Sequence, residues 1–76
     1  MNTLNKIELP FKCHVGDKPE IISNRFSGEK IECQPDAVAV YDTIIGAESL
    51  GLWNIVRDGL DWFSEHYPKE YMILLD

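Results

Sequence analysis

At Pro35 the spacing of apolar residues changes from every second position to every third or fourth. No other feature constrains the fold as much, because a period of two belongs to a strand and a period of 3.6 to a helix. Upstream, IELPFKCHV (residues 7–15) alternates throughout. Ile7, Leu9, Phe11, Cys13 and Val15 face one way, and Glu8, Pro10, Lys12 and His14 the other. This predicts a half-buried strand, and Pro10, with no N–H to give a ladder, puts it at a sheet edge or a bulge. GDKP follows as a turn by composition. Residues 20–26, EIISNRF, give a weaker strand, Ser27-Gly28 a second turn, and residues 30–33, KIEC, a short third strand. The first half thus reads as a three-stranded antiparallel meander.

Downstream the signals are helical. Proline suits the first helical position, where its missing N–H costs nothing, and Asp36 suits the positive end of the helix dipole. Ala37, Val38, Val40, Tyr41, Ile44, Ile45 and Ala47 share one broad arc of a wheel, while Asp42, Thr43 and Ser49 lie outside it. Glu48 is the one dissonant residue inside that arc. A helix over 35–50, ended by Gly51, is expected. A second helix, 52–66, is cleaner. Leu52, Trp53, Ile55, Val56, Leu60, Trp62, Phe63 and Tyr67 make one side; Asn54, Arg57, Asp58, Asp61, Ser64 and Glu65 make the other. Gly59 lies within the apolar side, where a missing side chain lets another element approach closely. In the tail, KEYMILLD (69–76), YMILL suits a buried strand as well as a helix, and Pro68 just before it favours a short helix. The expected class is α+β: one small domain with two main helices packed on a three-stranded sheet, plus a short C-terminal helix. The stretch NRFSGEKIECQPDAVAVYD (24–42) is its joint.

A chain of 76 residues is near the lower limit for independent folding and buries only about 60% of its unfolded surface. The apolar share of 45%, with two Trp, three Tyr and three Phe, is enough for a core without disulfide or metal staples, since each aromatic buries roughly 150–250 Å². No apolar run approaches the ~18 residues of a membrane span. MNTLNKIELPF lacks the apolar stretch and cleavage site of a signal peptide. These features predict a soluble intracellular protein without membrane contact.

Charge is unevenly divided. Residues 1–34 carry five acids and five bases, and residues 35–76 eight acids against Arg57 and Lys69, so the net charge of −6 sits on the helical half. Such a surface repels phosphate and disfavours direct nucleic-acid binding. It suits a basic partner, or simply confers solubility.

Catalytic and metal patterns are weak. There is no Ser-His-Asp or Cys-His spacing, no phosphate-binding glycine loop and no HExxH. Cys13, His14, Cys33 and His66 are the only thiols and imidazoles. They form no CxxC or HxxxH pair, and strand neighbours such as Cys13 and His14 point to opposite faces. Both cysteines fall on apolar sides, where free Cys acts as a small hydrophobe. A Cys13–Cys33 disulfide is conceivable, but cytosolic thiols are more often reduced. No cofactor or metal is expected, and no enzymatic activity. Two surfaces remain as candidate partner sites. Asp58, Asp61 and Glu65 form an acidic stripe on the second helix, offset only by Arg57; it reads as a solvated face or as a docking face for a basic partner. The turn from Asn24 to Gly28, with the donor fork of Arg25, is a candidate anion or small-ligand cradle, although any turn prefers Asn, Ser and Gly.

The order NRFSG, AVAVYD, IIGAE, DWF and PKEYMILLD at the C-terminus resembles small uncharacterised proteins of tailed bacteriophages, including phages of marine bacteria and cyanobacteria. The resemblance covers residues 7–76 and carries no catalytic motif. It implies a phage protein acting in the host cytoplasm, of the kind that binds or inhibits host machinery as an accessory factor. That leads to a non-enzymatic module that binds a basic host protein through its acidic helical face. Alternatives are ligand binding at Asn24–Gly28, and an acidic decoy that mimics nucleic acid to occupy a host enzyme.

Overall fold

The computed structural model describes residues 8–76. Their order is β1 (Glu20–Ser23), β2 (Lys30–Cys33), α1 (Pro35–Leu50), α2 (Trp53–His66) and α3 (Pro68–Leu74). The class is α+β. The strands pair antiparallel, with Ile22 opposite Ile31 and Glu20 opposite Cys33. Ile22, Ile31 and Cys33 turn to the helices, and Ile21, Ser23, Lys30 and Glu32 face outward.

Among the described residues the sheet has two strands, not the expected three. Ile7 lies outside the described residues, and residues 8–15 form no strand. The expected inward face is covered only at its middle, since Leu9 and Val15 stand exposed, and that middle serves another surface. Phe11 and Cys13 pack on the helical core, and Trp62 Nε1 donates to the Glu8 carbonyl at 2.6 Å. A segment pinned to helices by alternate side chains shows the same period of two as one laid on a sheet. Periodicity reports one-sided burial and is silent about what does the burying.

β1 also ends earlier than expected, at Ser23, because Asn24 takes over the backbone. Its Oδ1 accepts from the N–H groups of Phe26 (2.7 Å) and Ser27 (3.0 Å), and Gly28 closes the turn at φ 79°. That is the local side-chain mimicry for which Asn is favoured in turns.

α1 is the central helix. Residues 37–41 are buried consecutively, Ala39 included, so the N-terminal part of α1 is covered all round by its neighbours, whereas Asp42, Gly46 and Ser49 form an exposed stripe further along. α2 packs along it, α3 packs on α2 and β2, and β1 packs on α1. At the N-terminus of α1, Asp36 Oδ1 accepts from the Ala37 N–H and from the Tyr67 hydroxyl, both at 2.8 Å. The start of α1 is thereby tied to the α2–α3 junction. At its C-terminus, Gly51 (φ 73°) allows a Schellman closure: the Leu52 N–H donates to Ala47 O at 2.9 Å and the Gly51 N–H to Glu48 O at 3.3 Å.

The core joins Phe63, Ile44, Val40 and Cys33, all fully enclosed. Around it, Trp62 meets Phe63 edge-on with centroids 6.1 Å apart and lies tilted against Tyr67 at 5.7 Å. Gly59 is buried as its sequence position predicts. α2 starts at Trp53 with Leu52 as its N-cap residue, one position later than expected, and α3 confirms the helical reading of the tail.

Candidate interaction surface

The outward face of α2 is set by the same periodicity that buries Val56, Gly59, Trp62 and Phe63. With those four inward, Asp58, Asp61 and Glu65 are forced outward, and all three are exposed. Asp58 Oδ1 lies 3.8 Å from Arg57 Nε in a solvent-facing pair, a class of contact worth about 0–1 kcal/mol. Asp61 and Glu65 make no ion pair with any described residue. Ser64 Oγ donates to the Asp61 backbone carbonyl at 3.1 Å, not to its carboxylate.

The turn at Asn24–Gly28 is far more committed. Besides capping the turn, Asn24 donates from Nδ2 to the Ile73 carbonyl of α3 at 2.8 Å. Arg25 Nη2 donates to Glu48 Oε1 at 2.7 Å, and the guanidinium stands 5.3 Å from the centroid of the Phe26 ring. This explains the dissonant acid of α1: Glu48 meets the hairpin turn. A cleft of about 190 Å³ runs between the turn, α1, α2 and the C-terminus, lined in part by Asn24, Arg25, Phe26, Glu48 and Leu60. An anion entering it would compete with Glu48 for Arg25. None of Asp58, Asp61 and Glu65 lines that cleft, so the two candidate patches are not joined through it.

Among the described residues no three His, Cys, Asp or Glu side chains converge on one point. Cys13 and Cys33 are free thiols, Cys33 fully buried. Burial, then the carboxylates of Glu70 and Glu32, push the Cys33 thiol from 9.0 to about 11. Burial and Asp36 likewise raise Cys13. Both thiols are held protonated, the weakly nucleophilic form. Tyr67 is raised mainly by burial and further by the proton it donates to Asp36.

Two exposed aromatics were not singled out from the sequence. Phe26 is 88% exposed and Trp53 63% exposed. Phe26 sits in the turn, where no sheet face remains to receive it. Trp53 lies on the apolar side of α2 by period but precedes the stretch that α1 covers. The adjoining Gly51, which reverses the chain, is the sequence signal that marks such an uncovered corner.

No family model, curated protein or solved structure matches this chain. No helix among the described residues is long and apolar enough to cross a membrane.

Proposed function

We propose that this chain is a non-enzymatic interaction module, a phage accessory protein that binds a basic surface of a host protein in the host cytoplasm and occupies or inhibits it. One observation carries the reading: Asp61 and Glu65 stand exposed on α2 without an ion-pair partner among the described residues, on the half of the chain that holds the whole net charge of −6. Like charges along a helix face are mildly destabilising, so the stripe is a cost to folding that a cationic partner would turn into binding. Asn24 and Arg25 are less suited to a ligand, since their donors are already used by Ile73 and Glu48.

The test reverses charge without touching the core. Asp58→Lys with Glu65→Lys is expected to leave stability within about 0.5 kcal/mol, as exposed substitutions usually do. Capture of host protein is expected to fall strongly, and the residual capture to lose its salt dependence, because opposite-charge steering is screened by ions. Unchanged capture with an unchanged salt response would refute the acidic face as the site. Competition of the captured protein by duplex DNA would assign the stripe to nucleic-acid mimicry.

A further inference from the structure

The corner between α1 and α2 exposes three large apolar side chains around one glycine: Leu50 at 74%, Leu52 at 46% and Trp53 at 63%. The Schellman bonds from Gly51 and Leu52 to the end of α1 hold this corner in place. Beside it opens a cleft of about 460 Å³ lined by Gly51, Leu52, Trp53, Asn54 and Ile55, large enough for one or two apolar side chains. Trp is among the residues enriched at binding hot spots, and exposed apolar side chains grouped beside a cleft give a partner a place to dock.

The corner does not stand alone. Trp53, Arg57, Asp61 and Glu65 follow one another at intervals of four along the exposed side of α2. At 1.5 Å per residue, Asp61 and Glu65 stand about 12 and 18 Å along the axis from Trp53. Arg57 on this ridge has Asp58 as its ionic neighbour. An aromatic anchor at one end and, at the other, two carboxylates with no ion pair among the described residues make a bipolar ridge.

An apolar corner by itself would suit a membrane surface, a second copy of this chain or a partner protein. The charge beside it decides between them. Carboxylates two and three turns away repel anionic lipid headgroups, and a second copy, itself of net charge −6, would bring the same carboxylates to the ridge. A cationic segment gains at both ends. We propose that α2 and the Gly51 corner form one docking site for a basic amphipathic helix of a partner protein. An apolar side chain of that helix seats in the cleft beside Trp53, and its Lys or Arg residues, two to three turns further on, pair with Asp61 and Glu65. The proposal rests on α2 being a docking face and adds what is docked and where its affinity resides.

The probe is a synthetic helix with a leucine seam and a lysine face, accompanied by its scrambled isomer, which has the same charge and no seam. Binding is read by amide shift mapping and by the emission of Trp53; Trp62 is buried and serves as the internal reference. The seamed peptide is expected to bind with shifts confined to residues 50–65, and the scrambled peptide at least tenfold more weakly. Trp53→Ser, and separately Asp61→Lys with Glu65→Lys, are each expected to weaken binding tenfold or more while the urea midpoint stays unchanged. Equal binding of both peptides, or an unaffected Trp53→Ser, overturns the anchor while leaving α2 as a purely electrostatic docking face. Insensitivity to both variants overturns the anchor and the docking face together. Binding to anionic vesicles that depends on Trp53 overturns the proposal in favour of a membrane surface.

Discussion

Gly59 of α2 faces Ile44 of α1 with no room for a side chain between them, and filling it measures how tightly the two helices are set. A methyl group there would lie 2.5 Å from Ile44 Cγ1, 2.8 Å from Ile44 Cδ1 and 3.3 Å from Phe11 Cε2. Two effects oppose each other. Alanine gains about 1 kcal/mol over glycine in helix propensity, whereas overpacking a close-packed core costs about 1–3 kcal/mol. The size of the overlap decides. Ile44 is buried but borders the cleft beneath the hairpin turn; even so, Cγ1 of a β-branched residue in a helix is held by its single preferred χ1, and swinging it towards that space would cost a rotamer change. Relief therefore has to come from separating α1 and α2 and displacing Phe11. We expect Gly59→Ala to lose about 1 kcal/mol net, and Gly59→Leu about 2–3 kcal/mol, at the upper end of overpacking penalties. For a domain of this size 1 kcal/mol corresponds to a Tm lower by about 4–8 °C. The assay is urea unfolding followed by tryptophan emission, with the midpoint falling at constant slope. Ile44→Val removes Cδ1 at a cost of about 0.5–1.5 kcal/mol, and Gly59→Ala should be less damaging in that background. A neutral or stabilising Gly59→Ala in the unaltered chain would show that the helices do not meet there.

Two further outcomes follow from the polar contacts. Asn24→Ala removes the donor to Ile73 and both turn caps; the capped N–H groups can turn to water, but the half-buried carbonyl is left unpaired, for an expected loss of about 1–2 kcal/mol. Asn24→Asp keeps the caps and should cost at least as much by setting a carboxylate against that carbonyl; a harmless Asp variant in urea unfolding would show that the tie to α3 is dispensable. Stability should also fall in alkali. The native state holds the Cys33 proton up to about pH 11, whereas the ordinary thiol value is 9.0, so the unfolded chain binds fewer protons in that interval. The stabilisation is fully present below pH 9 and is lost by pH 11, a change of about 3 kcal/mol. Tyr67, also raised, extends the decline above pH 10. A urea midpoint that stays flat from pH 9 to 11 would refute the burial of Cys33.

Sequence alone determined the elements whose signals are local. Pro35, Gly51 and Pro68 bound α1 and open α3, because proline and glycine restrict or release the backbone wherever they stand. The 3.6-residue period of α2 assigned both its buried side and its acidic stripe, so Asp58, Asp61 and Glu65 were legible as an exposed face before any partner element was known. Tertiary structure decided what each buried face meets. Residues 8–15 have the period of a strand and lie on helices, because alternation records only that one side is covered. Glu48 looked misplaced on α1 until the hairpin turn brought Arg25 to it from 23 residues away. Trp53 carried the pattern of a core residue and stands in solvent, since α1 ends at Gly51 and nothing in the described chain lies over that corner. Asn24 read as a turn former and candidate ligand contact, and only the return of α3 gave its amide the Ile73 carbonyl, 49 residues on. Propensity and period act over a few residues, whereas these contacts depend on where the chain comes back to itself.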